Sequence, residues 1–455
     1  MKPNINDMTK GSELKHILKF MLPRLLGNLF QQLYTLVDSM MVGRFVSANA
    51  LASVGAVGSI SHLFMALCAG LAGGVNILTA QSYGSGNESR VKSVIGNGIC
   101  VNAVAGGIMS LVSVCLAPMI LHGMQVPQKN YGDALLYMRI VCGTMIITAV
   151  YNVISQVLCA LGDAKTPLYF VIVSSVLNVI LDLVFVAVFH WNVAGVAWAT
   201  VIAQLVSAVG AALYAVKKNP YFKLEKEHFV FQKKVVVKMC SMGVPLAMQN
   251  AMGSLAGVVS QSVINGFGST VMAAHAACSR VEQLMCQPYG TLGVAVANFS
   301  GQNMGAGKYD RIKNGCRKCV GLTLCYSTFV CVLFLFGGRQ VIGTFVTDEE
   351  VIAVGAVGLT IVAVSHFFHG LVYIYKAMLN GAGDAVFTLT NSIIEVAARV
   401  VLIVALTSVP LLGYWGIWLT GVLVSVLSAG LCIRRYRSGK WMIKGLGEDA
   451  KGEKC

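Results

Sequence analysis

The stretch QSYGSGNESRVK at residues 81–92 returns as QNMGAGKYDRIK at residues 302–313. Gln81, Gly84, Gly86, Arg90 and Lys92 recur as Gln302, Gly305, Gly307, Arg311 and Lys313, at an offset of 221. Further landmarks on either side keep that spacing. Leu22-Pro23 and Asn28 recur as Val244-Pro245 and Asn250, and Phe45 and Ala52 as Phe267 and Ala274, all at 222. Leu161-Gly162-Asp163-Ala164 recurs as Ala382-Gly383-Asp384-Ala385, and Gly195-Val196 as Gly416-Ile417. Self-similarity at one fixed period sets the architecture before any local reading. The chain is a duplication.

What was duplicated follows from composition. Of 455 residues, 56% are apolar and 12% charged, with a mean hydropathy of +0.72. Soluble domains carry about 25% charged residues, so this chain expects lipid as its solvent. A bilayer core of about 30 Å takes about 20 helical residues. Twelve such runs are read at 20–43, 50–80, 94–121, 133–160, 168–190, 194–216, 240–264, 271–300, 319–337, 352–379, 387–408 and 413–432. They are continuously apolar rather than alternating, which argues against a β-barrel. The fold class is therefore all-α integral membrane, with twelve transmembrane helices in two six-helix lobes. The expected division is an N-terminal lobe at 1–216, a basic linker at 217–238, a C-terminal lobe at 239–440 and a tail at 441–455.

Lys and Arg placement gives the orientation. With the N-terminus cytoplasmic, inside segments hold 26 of the 34 basic residues, outside segments only Arg44, Lys129 and Arg339. Both termini are then cytoplasmic in the plasma (inner) membrane, and the net charge of +15 is a topology signal that needs no nucleic acid. No cleavable signal peptide is expected, since residues 1–19 are polar. Six spans per half is an even number, so both halves enter from one side. Their pseudo-twofold axis then runs along the membrane normal, an arrangement that leaves a cleft suited to alternating access.

Ionisable groups within a bilayer are functional candidates by default. The acids are Asp38, Asp182, Glu282 and Glu395. Span one carries Asn28, Gln31 or Gln32, Thr35 and Asp38 at a spacing of three and four, hence on one face. Span five carries Asn178 and Asp182 one turn apart, and span six carries Thr200. At about 1.5 Å per residue, Asp38 lies about 27 Å from the cytoplasmic end, and Asp182 and Thr200 about 21 Å. Two carboxylates with amide and hydroxyl oxygens suit Na⁺ or shared protons; the plainer reading is helix cross-linking by hydrogen bonds. Span seven repeats the polar stripe as Asn250, Ser254 and Gln261 without an acid, which assigns the coupling ion to the N-terminal lobe.

Other in-span polar residues read less sharply. Glu395 and Arg399, four apart, are expected to neutralise one another, and Glu282 beside Arg280 could attract a cationic substrate. His366 and His369 have no third metal ligand at suitable spacing; His369 is counted with Asn28, Gln32, Asn250, Ser254, Gln261 and Glu282 as facing the cleft. Most of the fourteen cysteines sit in apolar runs as small hydrophobes, and Cys316-x-x-Cys319 lacks the βαβ setting of a redox motif. No nucleophile–His pair, H-E-x-x-H or phosphate loop points to an enzyme.

The VDSMMVG at 37–43, LGDAKTP at 161–167, GQNMGAG at 301–307 and the six-plus-six repeat resemble multidrug and toxic compound extrusion transporters, most closely the DinF-like branch. The resemblance covers nearly the whole chain. It implies export of amphipathic, often cationic small molecules, driven by inward Na⁺ or H⁺ through rocking of two lobes, by a monomer without cofactor or bound metal. It also implies a coupling site at Asp38, Asn178, Asp182 and Thr200, which match that branch's pattern. One departure is Gly253, where other branches place an acid in span seven. The alternative is a flippase for a lipid-linked saccharide or cell-wall precursor, which would want a basic cluster; Arg24, Arg139 and Arg280 are scattered instead.

Overall fold

The computed structural model describes residues 5–42 and 48–445; Arg44 and Phe45 lie outside them. Fourteen α-helices follow one another: α1 (Glu13–Met41), α2 (Ala48–Gly84), α3 (Glu88–Gly123), α4 (Gln128–Gly143), α5 (Met145–Ala160), α6 (Lys165–Asp182), α7 (Asn192–Lys218), α8 (Lys233–Ile264), α9 (Ser269–Gly305), α10 (Tyr309–Gly343), α11 (Glu349–Ala363), α12 (Ser365–Gly381), α13 (Ala385–Thr407) and α14 (Gly416–Arg437). Ten of the twelve expected runs fall on single helices. The fourth and tenth fall on pairs, α4 with α5 and α11 with α12, bent by 42° and 49°. Among the described residues, seven helices are long and apolar enough to cross a membrane, or nine counting each bent pair as one span. The remaining three, α1, α8 and α9, are the more polar columns. Large apolar side chains such as Leu111, Met119, Phe336 and Val401 stand exposed on the helix surfaces, as lipid-facing residues do.

The duplication is written into the backbone. The bends fall at Thr144 and Val364, 220 apart and so within one residue of the repeat. Gly86 and Gly307 have φ of +76° and +69°, and Gly162 and Gly383 +85° and +90°. These are left-handed positions that end a helix, where a Cβ is strained. Asn87 then starts α3 by accepting from Arg90 N at 2.9 Å. Asp163 plays that part for α6, accepting from Thr166 N (3.0 Å) and Thr166 Oγ1 (2.6 Å).

The chain divides into two compact units, Met1–Asp7 with Leu22–Ala247, and Met8–Met21 with Met248–Cys455. The first has its core around Leu121, Met138, Met145 and Val196. Its helices approach closely at Gly74, where a Cβ would stand 2.6 Å from Gly243 Cα, and at Gly96, where it would meet His228 O at 2.2 Å. The basic linker is not loose: Asn97 donates to His228 O (3.3 Å) and Val230 O (3.1 Å) and accepts from Gln232 N (3.0 Å). The second unit is built on Phe334, Ile342, Leu359 and Trp418.

Two boundaries differ from an even division. Residues 8–21 pack with the second unit, because Met8, Ile17 and Phe20 are buried and Met8 exchanges hydrogen bonds with Gln302 (2.9 Å) and Asn303 (3.1 Å). At the other end Trp441 is buried, its Nε1 donating to Tyr436 O at 3.0 Å, so residues 441–445 are packed rather than a free tail. The rest of the expected tail lies outside the described residues.

Candidate functional site

Asp38 stands near the end of α1 and Asp182 is the last residue of α6, fully buried. Immediately after Asp182 the helix widens into a π-turn, Leu183–Val188, with Phe189 N donating to Val184 O at 3.0 Å. Such turns recur at functional sites because they shift the register of the side chains beyond them. The Asp38 and Asp182 carboxyls face one another within hydrogen-bond reach, although they come from helices far apart in sequence. When both are ionised, the Oδ1 of each is buried with no donor.

The remaining expected ligands join them. Asn178 is buried one turn before Asp182. The amide orientation that satisfies both its ends has Nδ2 donating to Asp182 Oδ2 (3.0 Å) and the oxygen accepting from Thr200 N (3.2 Å). Thr200 on α7 donates to Val196 O at 3.1 Å, and the Tyr34 hydroxyl is within hydrogen-bond reach of it. Tyr137 of α4, buried in the unit core, is close enough to feel both carboxylates. The site is thus the oxygen-bearing side chains of Asn178 and Thr200 and two phenols around two acids. Among the described residues neither acid has an ion-pair partner, so only a proton or a small cation can neutralise the pair.

Tyr34 and Tyr137 escaped the sequence reading. Tyr34 had a signal, four residues before Asp38 on the same face. Of the two glutamines the stripe allowed, Gln31 lines a cavity, and Tyr34 lines it where Thr35 was expected; Thr35 is exposed, its Oγ1 donating to Gln31 O at 2.9 Å. Tyr137 lies on a different helix and carried no signal at all.

A cavity adjoins this centre, and a second adjoins the first. One, of about 110 Å³, touches Tyr34, Asn178 and Thr200; the other, of about 120 Å³, touches Arg24, Asn28 and Gln156. Gln31, Tyr151, Asn152 and Val171 line both.

In the second unit the pairing differs from expectation. Glu395 is not neutralised by Arg399. It accepts from Lys376 Nζ at 3.1 and 3.0 Å, from Asn391 Nδ2 at 3.2 Å and from Ser428 Oγ. Lys376 reaches it from the neighbouring α12, and Arg399 lies in the neighbourhood of Glu282, His275 and His369. His369 is held by Ser425 (3.1 Å) and Ser365 (3.4 Å). Gln261, exposed, donates to Asn265 at 2.8 Å; Asn250 is exposed as well, and the Ser254 side chain lies outside the described residues. Cys316 and Cys319 are buried and unbridged. Among the described residues no three His, Cys, Asp or Glu side chains converge as for a metal.

A family model described as MatE matches residues 23–184 and again 245–412, one match per half, starting at the repeated prolines. "Probable multidrug resistance protein YoeA" of Bacillus subtilis is 28% identical over 419 residues, 90% of each chain. "DNA damage-inducible protein F" of Escherichia coli is 25% identical over 442 residues, 92% of each chain. The solved outward-facing structure of a multidrug resistance MATE family transporter has a TM-score of 0.89 at 20% identity, covering 96% of this chain and 98% of that one. That likeness shows the fold.

Proposed function

The chain belongs to the MatE family of membrane transporters, and from that premise we propose that it is a cation-coupled antiporter exporting amphipathic, often cationic compounds by alternating access. The multidrug naming of its relatives supports the cargo; nothing favours a lipid-linked flippase. It acts as a single chain in the plasma membrane, with both termini cytoplasmic, as the Lys and Arg distribution argues.

One observation carries the coupling: Asp38 and Asp182 face one another without a counter-cation. Two buried carboxylates in reach of each other cannot both stay ionised alone. They share a proton, titrating as a pair, or they bind Na⁺ together with the oxygens of Asn178, Thr200 and Tyr34. A cation that neutralises the pair better in one conformation shifts the balance between inward- and outward-open states. One charge falling through 100 mV supplies about 2.3 kcal/mol, enough for a cargo gradient of roughly fiftyfold. In the same cavity system Asn28 and Gln31 offer amides to the cargo.

The test is ethidium efflux from proteoliposomes under an imposed Na⁺ gradient and, separately, a pH gradient. Asp38→Asn should abolish efflux while the protein stays folded and monodisperse. Wild-type efflux by that variant refutes the assignment, and the gradient that drives the wild type identifies the ion.

A further inference from the structure

The linker between α7 and α8 carries three consecutive apolar side chains that face away from the protein. Phe229, Val230 and Phe231 are 43%, 61% and 69% exposed. Their backbone is held so that they cannot turn in. Asn97 of α3 donates to the His228 and Val230 carbonyls and accepts from Gln232 N, while Gln232 Nε2 reaches Ser93 Oγ at 3.3 Å. Gly96 admits this approach, since a Cβ there would collide with His228 O. His228 itself is buried, its Nδ1 accepting from Glu225 N at 3.0 Å, and Phe222 is buried upstream. The segment is built rather than frayed. Three exposed apolar residues in a row on such a segment need something to meet.

Two features say what it is. Charge of one sign frames the run: Lys217, Lys218, Lys223, Lys226, Lys233 and Lys234 are exposed, and residues 217–238 hold seven lysines against Glu225 and Glu227. The run also continues a lipid-facing surface, because Leu213 and Val216 at the end of α7 and Val237 one turn into α8 are exposed. Lysines at the ends of such helices stand at headgroup level. Phe231 is two residues from Lys233, at most about 7 Å of chain. At that depth aromatic side chains enter the acyl boundary while lysines stay with the headgroups. A topology signal needs the lysines without the apolar run, and plain lipid contact needs the run without the lysines. One clamped segment carries both.

We propose that this linker is an interfacial anchor for anionic phospholipid: Phe229, Val230 and Phe231 enter the leaflet, and the surrounding lysines hold its phosphate headgroups. The orientation proposed above makes this the cytoplasmic leaflet. Each lysine close to an anionic surface favours it over a zwitterionic one about fivefold, and salt screens that preference.

Two measurements on the full-length protein test the anchor, and neither needs cargo or a coupling ion. The first is native mass spectrometry of protein released from nanodiscs of equal phosphatidylglycerol and phosphatidylcholine. The wild type should retain phosphatidylglycerol about tenfold over phosphatidylcholine. The variant Lys223→Gln/Lys226→Gln/Lys233→Gln/Lys234→Gln should lose most of that preference. The second is hydroxyl-radical footprinting in phosphatidylglycerol nanodiscs. There Phe229 and Phe231 should resist labelling nearly as well as the buried Phe222, and in the fourfold variant they should be labelled several-fold more. Phe222 should stay unlabelled in both proteins, which reports that the linker is folded; Lys217→Gln/Lys218→Gln replaces the fourfold variant if it does not. Equal headgroup preference in wild type and variant overturns the anchor, since the run would then meet lipid of any kind. Strong labelling of Phe229 and Phe231 in the wild type overturns it too, and leaves the run to a soluble partner. Neither result touches the coupling site, which efflux by Asp38→Asn tests separately.

Discussion

Lys376 on α12 sets its ammonium 3.0 and 3.1 Å from the two carboxylate oxygens of Glu395 on α13, an internal counter-ion that Asp38 and Asp182 do not have among the described residues. The second unit thus neutralises Glu395 with a side chain of its own, whereas on the reading proposed above the first unit would take its cation from solution. Breaking a buried ion pair costs about 3–5 kcal/mol because the remaining charge is stranded. Glu395 is a quarter exposed, so Lys376→Met should cost about 2 kcal/mol. The double variant Lys376→Met/Glu395→Gln should regain most of that. Thermal unfolding of the purified protein in detergent measures both, and a single variant as stable as the wild type would show the pair to be dispensable.

Asn178 ties Asp182 to Thr200 through both ends of one amide. Losing that positioning, while leaving the acids in place, should weaken cation use without abolishing it. Asn178→Ala is expected to shift the Na⁺ concentration, or proton concentration, for half-maximal efflux about tenfold upward, equivalent to about 1.4 kcal/mol. Tyr34→Phe should shift it about threefold. A change confined to the maximal rate would assign both residues to the conformational cycle instead.

The repeat and the helical columns were legible because long apolar runs and a fixed offset survive sequence divergence. The acid centre was legible because depth along a helix is simple arithmetic: Asp182 and Thr200 come out level, with Asp38 about four residues above and Asn178 one turn below. Partners across helices were not. Glu395 has Arg399 one turn away and Lys376 nineteen residues away, and spacing favoured the wrong cation; which of two is nearer in space depends on how α12 and α13 pack. The open choice between Gln31 and Gln32 on α1, and Tyr34 taking the place expected of Thr35, is the same difficulty on one helix. A rotation of about 100° separates neighbouring residues, and a stretch polar at 31, 32, 34 and 35 fits two faces. The docking of Met8 against Gln302 had no local pattern to reveal it.

That docking has a pH signature. Glu13 starts α1, outside the expected span, and holds Lys318 at 2.8 Å and Arg311 at 3.6 Å. The Lys318 hydrogen bond, foremost among several causes, lowers the Glu13 pKa from its ordinary 4.5. A lowered acid stabilises the folded arrangement above its unfolded pKa, and that contribution is lost as pH falls through the folded one. Residues 8–20 should therefore exchange amide hydrogens faster once pH drops below about 4.5. Glu13→Gln should be loosened at neutral pH and should lose that dependence. Identical exchange in the two proteins across the range would remove Glu13 from the clasp.

Gly162 and Gly86 separate two costs that a left-handed glycine can carry. Both have positive φ, +85° and +76°, so alanine at either pays about 1–2 kcal/mol of backbone strain. At Gly86 nothing lies within 4 Å of the added Cβ, whereas at Gly162 it would stand 2.4 Å from Asn6 O. Asn6 N also donates to Leu161 O at 3.2 Å, so that Asn6 is pinned over this turn. Gly86→Ala should lose only the strain. Gly162→Ala must in addition displace the backbone at Asn6, and should lose at least about 1 kcal/mol more together with amide protection at residues 5–7. Equal destabilisation of the two variants would mean that the N-terminal residues yield without cost, and the hydrogen bond to Leu161 O would then contribute nothing to holding them.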